Sequence, residues 1–385
     1  MSGYDVGIVG AGVHGAAAAF HLASRGARTV VFDKGSPAGG PTGRSSAVCR
    51  SYYTNEFLAK AARDSIRMMA DFEKLTNGGD SGFRRLGALF LHPPEDLSQV
   101  QEAAERLNDW GVRTEVWDPA EIAARFPAFD LDGIGVGAWD ADAGYADPAG
   151  TTVGLLNRAV ELGAEARLRK PVSAIEPVPG GGWIVATSDG DRAEFERVLI
   201  AAGPWTKPLA AQVGADLPLT VERHIVGTFR WGQANPMPLH ADLVGGYYFR
   251  PEGAELFLVG SLHPAEQADP DRFAEAVGER EISALSDPVV RRTPDLEKAE
   301  VHGGWASLYD VSPDWQPMIG EIAPGVFVDA GTSGHGFKIA PAIGGHVARM
   351  ILDDDPDPGL AQFHPRRFEQ DALISAGYGE ARILG

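Results

Sequence analysis

The 385-residue sequence holds a single cysteine, Cys49. One thiol excludes an internal disulfide and any multi-cysteine metal or iron–sulfur site. No apolar run reaches the roughly 18 residues that a membrane span needs. Basic residues are also scarce, 34 Lys and Arg against 53 Asp and Glu, and the resulting charge of −19 repels nucleic acid and anionic membrane surfaces. Met1-Ser2-Gly3-Tyr4-Asp5 leads directly into an apolar strand, without the basic stretch and cleavable apolar segment of a secretion signal, so a soluble, cytoplasmic protein is expected. His224, His240, His263, His302 and His335 show no metal-ligand spacing, and there is no Gly-x-Ser-x-Gly elbow. Metal and serine-hydrolase chemistry have no foothold here.

What is present begins at residue 4. An apolar run, 4–9, precedes Gly10-Ala11-Gly12-Val13-His14-Gly15, then an Ala-rich helical stretch to Ser24 and a second strand, 28–32, ending at Asp33. In this pattern Gly10 permits a tight turn, Gly12 lets backbone approach a pyrophosphate, and Gly15 lets helix and strand pack closely. Asp33 lies near the spacing at which a carboxylate meets a nucleotide ribose, with Lys34 beside it. The fingerprint fits FAD and NAD equally and disfavours NADP.

Further along, residues 35–43 read as a Gly- and Pro-rich loop and 56–75 as one long helix. Asp147-Pro148 precedes a helix over 151–162. The runs 172–178, 183–187 and 194–200 alternate as a small meander, and 247–250 with 255–259 form a hairpin around Pro251-Glu252-Gly253. Polar residues at helical spacing over 267–285 predict a helix. The last unit is a strand over 326–330, a glycine-rich turn over 331–336 and a helix from Pro341 to Leu352. Amides opening that last helix would stabilise negative charge on a flavin's pyrimidine edge.

Nearly the whole chain resembles the D-amino acid oxidase superfamily of flavoproteins, above all its monomeric sarcosine oxidases and more loosely D-arginine dehydrogenase and glycine oxidase. The motifs are Gly43-Arg44-Ser45-Ser46, Ala201-Ala202-Gly203-Pro204-Trp205, Ser312-Pro313-Asp314 and Ser333-Gly334-His335-Gly336-Phe337-Lys338. The resemblance implies an α/β fold: an FAD-binding Rossmann-like domain of glutathione-reductase type, with an inserted α+β substrate domain on a mixed antiparallel sheet. The expected division is 1–88, 146–210 and 317–385 for FAD, and 89–145 and 211–316 for substrate.

By the same resemblance Arg44, Ser45 and Ser46 approach the flavin, Val172 contacts adenine, and Ala202, Gly203 and Trp205 pass near the dinucleotide. Gly334, His335, Gly336, Phe337 and Lys338 close the site. Arg50 and Lys338 match the pair that binds an amino acid carboxylate. Tyr248 and Tyr309 match cavity-lining tyrosines, and His263 falls one residue from a family histidine. The cysteine that tethers flavin in sarcosine oxidases is here Ser307, and no histidine occupies the Arg44-Ser45-Ser46 segment, so FAD is expected to be non-covalent, with Cys49 a buried structural thiol. The lysine that promotes oxygen reaction in sarcosine oxidases aligns near Leu258, flanked by Phe257 and Val259, where no lysine is available, so slow reaction with oxygen and transfer of electrons to another acceptor are expected, the acceptor being oxygen or another electron acceptor.

The implied activity is oxidation of an amino acid C–N bond, of a secondary or N-methyl amine by analogy, to an imine by hydride transfer to flavin N5. The alternatives are a 2-hydroxy acid dehydrogenase, with His263 or His335 as base, and a flavin-bound subunit without turnover.

Overall fold

The computed structural model describes residues 3–232, 237–353, 357–375 and 377. The N-terminal unit forms as expected: a strand Tyr4–Val9 (β1), a helix Val13–Ser24 (α1) and a strand Thr29–Asp33 (β2). β1 is the centre of an eight-stranded sheet. It pairs in parallel with β2 on one side and with Arg192–Ile200 on the other. The strand Arg192–Ile200 serves two neighbours. Its first half pairs antiparallel with Trp183–Thr187, and Val198–Ile200 pair in parallel with Val326–Phe327–Val328. The meander is therefore an extension of the central sheet, and the strand Val326–Ala330 brings the C-terminal glycine turn to the same sheet edge as Gly10–Gly15.

One face of this sheet carries helices packed at short range. Ala16 to Ala19 of α1 are all fully buried, and these small side chains let the helix Gly336–Asp353 come so close that a Cβ on Gly344 would lie 2.6 Å from the Ala17 carbonyl carbon. Pro148–Glu161 packs against another side of α1. Here Asp147 caps the helix by accepting from Ala149 N at 2.9 Å, and Pro148 occupies the first turn, where its missing N–H costs nothing.

A second eight-stranded sheet runs Glu300–Val311, Thr220–Arg230, Leu256–Ser261, Tyr247–Glu252, Leu239–Asp242, Ala88–His92, Val136–Asp140 and Thr114–Trp117. Every pairing is antiparallel except the one between Leu239–Asp242 and Ala88–His92. Because side chains alternate along each strand, Phe249, Phe257 and Val259 pack into a core with Ile282, Leu285 and Val289 of the helix Glu279–Arg292, while Tyr248, His224 and Tyr309 face the opposite way. The fold is the mixed α/β architecture expected.

Several expected elements differ. The stretch 56–75 is two helices, Glu56–Ala70 and Phe72–Thr76, broken at Asp71; the break buries Phe72 against Gly154 of the neighbouring helix. The polar stretch 267–278 is not helical. Asp269 accepts from Asp271 N, Pro270 disfavours helical backbone before it, and Arg223 binds the carbonyls of Ala274 (2.7 Å) and Ala276 (3.0 Å), so the segment lies as an extended strap and the helix starts only at Glu279. In the hairpin, Pro251 and Glu252 remain inside the strand, and the turn falls after them.

The last helix starts at Gly336, five residues before Pro341. Proline inside a helix removes a backbone donor. Ser65 from a distant helix relieves the disruption by donating to Ile339 O and accepting from Ala342 N, both at 3.0 Å, and His21 Nε2 donates to Pro341 O at 2.9 Å. Ser312-Pro313-Asp314 proves to be an anchor: the buried Asp314 carboxylate receives two bonds from Arg367, at 2.8 and 2.9 Å, tying the C-terminal segment to the sheet.

Candidate functional site

A cavity of about 640 Å³ lies between the two sheets, within the roughly 300–1,000 Å³ range of ligand and cofactor sites. Its floor is the Gly10–Gly15 turn. A Cβ on Gly10 would overlap the Ala201 carbonyl and one on Gly15 the Gly10 carbonyl, so only glycine allows this approach of strand, turn and helix. The N-terminus of α1 opens into the cavity with Gly12 as its first flanking residue and Thr42 Oγ1 accepting from Val13 N at 3.2 Å. Exposed amides at a helix start form an anion site.

Asp33 lines the cavity, but its carboxylate also braces the walls: it accepts from Ala11 N and Gly35 N, both at 2.7 Å. A carboxylate has capacity for further donors, so ribose recognition and bracing are compatible. Lys34 lies over the Trp205 ring, 3.4 Å from its centroid, and both side chains meet Asp271 of the strap. The strap's Pro270, Phe273 and Glu275 line the cavity, and Glu275 pairs with Arg44 at 2.9 Å. This cover over the nucleotide end was not foreseen from the sequence.

Of the residues expected to hold the cofactor, Gly10, Gly12, Val13, His14, Asp33, Lys34, Arg44, Ser45, Ser46, Val172, Ala202, Gly203, Trp205, Ser307, Gly334, Gly336 and Phe337 line this cavity. Gly15 serves packing beneath it. His335 lines neither cavity described here: it is fully buried and stacked on Tyr53 at 5.9 Å. Burial, with Lys338 and Arg50 nearby, pushes its pKa well below the ordinary value, so it stays neutral.

A smaller cavity, about 50 Å³, adjoins the first through shared walls at Ser46, Tyr248, Tyr309 and Gly334. Arg50, Lys338, Tyr248 and Tyr309, scattered over nearly 290 residues of sequence, all line it. Arg50 comes from the segment after the short strand Val48–Cys49. Its guanidinium donates to Tyr52 O, lies 4.2 Å from the Tyr53 ring centroid, and feels the buried Asp140, whose pKa burial raises to about 6. Lys338 belongs to the first turn of the last helix. Burial and then the charge of Arg50 push its pKa well below the ordinary value. The remaining lining is apolar or neutral and includes no Asp or Glu. Two buried cations facing a small apolar chamber make a site for a small anion.

Tyr248 shares a hydrogen bond with Ser46, and burial pushes its phenol pKa up. Tyr309 stacks on His224 at 3.9 Å, and His224 pairs with Glu222 at 3.1 Å. His263 is a correction: it is exposed and lines neither cavity, whereas its neighbour Leu262 lines the smaller one. One residue of offset at a strand end reverses the direction of a side chain. The histidine that does line the small cavity is His240, with Nδ1–H donating to Pro238 O and the Tyr247 hydroxyl 3.2 Å from Nε2; burial lowers its pKa to about 4.

Cys49 is fully buried, its thiol donating to Ala47 O, and burial raises its pKa to about 12. It lines neither cavity. Among the described residues no helix is long and apolar enough to cross a membrane, and no His, Cys, Asp and Glu cluster suits a metal.

The rat mitochondrial dimethylglycine dehydrogenase is 27% identical over 98% of this chain and 47% of its own length, so the chain spans about half of that relative. Monomeric sarcosine oxidase of Streptomyces avermitilis is 27% identical, with 94% of this chain and 97% of that protein covered. The crystal structure of L-proline dehydrogenase from P. horikoshii superposes with a TM-score of 0.87, covering 97% and 99% of the two chains at 23% identity. Residues 5–350 match the family model described as FAD dependent oxidoreductase (DAO), and the chain belongs to that family of FAD-dependent flavoproteins.

Proposed function

We propose that this protein oxidises the C–N bond of a small amino acid, of the secondary or N-methyl class, to an imine. The observation that carries this reading is the placement of Arg50 and Lys338 on one small cavity that adjoins the large one through shared walls. Gly10–Gly15, Asp33, Ser45–Ser46 and the start of the last helix would hold FAD, which would supply a two-electron acceptor.

The chain's own groups bind and orient. Arg50 offers a planar fork to a carboxylate and Lys338 a point charge, and together they overcome the field of an acidic protein. Tyr248 and Tyr309 wall the junction of the cavities, where the substrate's amine and α-carbon would lie. Apolar neighbours Phe90, Leu239 and Leu262 exclude water and favour the neutral amine, the form from which hydride can leave. Names of similar proteins favour the same class: sarcosine oxidase, dimethylglycine dehydrogenase and N-methyl-L-tryptophan oxidase. For the hydroxy-acid alternative, neither histidine named as its base lines either of the two cavities described above.

Acetate, a carboxylate without the amine, tests the cation pair. Because Lys338 titrates below its ordinary range, it loses its charge as pH rises through that lowered pKa, and acetate binding should weaken about tenfold per pH unit above it. Inhibition constants across pH should show this slope, and Lys338→Met should flatten it; a slope unaltered by the substitution would remove Lys338 from the site.

The same reading makes FAD non-covalent, since Ser307 lines the cavity where a tether would lie and Cys49 does not. Acid precipitation should leave a white pellet and a yellow supernatant. A yellow pellet would show a covalent bond.

A further inference from the structure

The feature the proposed chemistry leaves unused is a buried carboxylate in the large cavity. Asp329 ends the strand Val326–Ala330, its side chain is 0% exposed, and it lines the cavity. Its Oδ2 accepts from His14 Nδ1 at 2.8 Å, while Oδ1 has no hydrogen-bond partner. A buried carboxylate oxygen left without a donor is costly, so the fold must tolerate the loss or receive a donor from an ordered water or a ligand.

The place of this oxygen identifies the donor. His14 lies in the first turn of α1, and its Nε2–H donates to the carbonyl of Gly336, the first residue of the last helix, at 3.1 Å. Asp329 and His14 therefore join the starts of the two helices whose amides face the cavity. In FAD the segment between pyrophosphate and isoalloxazine is the ribityl chain, with three hydroxyl groups. The pyrophosphate would lie at α1, and the resemblance implies that the isoalloxazine would lie by the cavity junction at Gly334 and Tyr309. The ribityl chain would then cross the gap between, and its hydroxyls would need acceptors there.

We infer that Asp329 is a cofactor-binding residue whose free Oδ1 accepts a hydrogen bond from a ribityl hydroxyl of FAD, with His14 holding the carboxylate in place. The inference rests on the family's use of FAD. The local electrostatics agree. Burial opposes protonation of His14, but the charge and hydrogen bond of Asp329, followed by the charge of Asp310, raise its pKa overall, and both ring nitrogens have oxygen acceptors. Asp310 is itself occupied, accepting from Gly331 N at 2.6 Å, and does not compete for the same donor.

The test compares FAD with ADP, which ends at the pyrophosphate, on the full chain freed of flavin. Asp329→Ala should weaken FAD binding about tenfold or more, the usual loss for a hydrogen bond to a charged group, and leave ADP binding unchanged. Asp329→Asn, which keeps an acceptor oxygen, should recover most of the FAD affinity. FAD affinity within twofold of the parent, or an equal loss for ADP, would overturn the inference and leave Asp329 a structural partner of His14.

Should Asp329→Ala fail to fold, the parent chain still decides through FAD analogues lacking one ribityl hydroxyl at a time. At least one should bind about tenfold more weakly than FAD, and equal binding of all of them overturns the assignment. Failure of the parent to bind FAD at all would instead contradict the cofactor itself.

Discussion

Replacing both Arg50 and Lys338 with Met lowers kcat/KM for an N-methyl amino acid by about 10²–10⁴. Each cation contributes about 1.5–3 kcal/mol through hydrogen bonds to a charged group, and 3–6 kcal/mol together corresponds to that range. Most of the loss should fall on KM, because the carboxylate is remote from the bond that breaks and is held alike before and during reaction. The effect depends on burial. Arg50 is 3% and Lys338 7% exposed, so bulk water cannot replace them as it would at a surface. The double variant should lose more than the sum of the two singles, since removing Arg50 relieves the repulsion that, after burial, lowers the Lys338 pKa and so lets the lysine hold its proton and partly compensate. Steady-state kinetics of both singles and the double variant, with flavin content verified, measure this coupling. Unchanged kinetics in the double variant would remove the carboxylate from the account.

Gly15→Ala should strip the protein of flavin while leaving it folded. The added Cβ overlaps the Gly10 carbonyl, which is backbone and cannot swing aside, so α1 must move away from β1. Overpacking of this kind costs roughly 1–3 kcal/mol, and because the displaced helix start is the phosphate site, FAD affinity should fall by up to about a hundredfold. Gly344→Ala is the matched control: it presses on Ala17 in the middle of the same helix. That variant should lose thermal stability with far less loss of FAD, measured by flavin fluorescence on binding and by the melting temperature. Equal FAD loss in the two variants would show that the helix start has no special part in binding.

What the sequence disclosed and what it concealed follow from range. β1, α1 and β2 are dictated by residues within thirty positions of one another, and the glycines of the turn mark close approaches that no other residue permits. The Arg50–Lys338 pair is reachable only by resemblance, because nothing local links the two residues. The strap over 267–278 has helical spacing, yet Asp269-Pro270 and a guanidinium from residue 223 hold it extended. The last helix was expected to start at Pro341, where proline normally opens a helix; Ser65, 274 residues from Ile339, supplies the hydrogen bond that lets proline lie inside. His14 and Asp329 lie 315 residues apart and carry no joint signature. His263 shows the limit of registering a strand by resemblance, since a single residue separates a lining position from an exposed one.

Flavin reduction without oxygen tests the central claim most directly, because it separates substrate oxidation from the choice of electron acceptor. Anaerobic mixing of the full chain, purified with its flavin, with sarcosine and a panel of other N-methyl amino acids should bleach the visible flavin band at a rate that saturates with substrate. The matching amines without a carboxylate should leave the band unchanged at the same concentrations. Bleaching by the amines and amino acids alike would contradict the roles of Arg50 and Lys338, and an unbleached flavin with every amino acid tried would contradict amine oxidation itself.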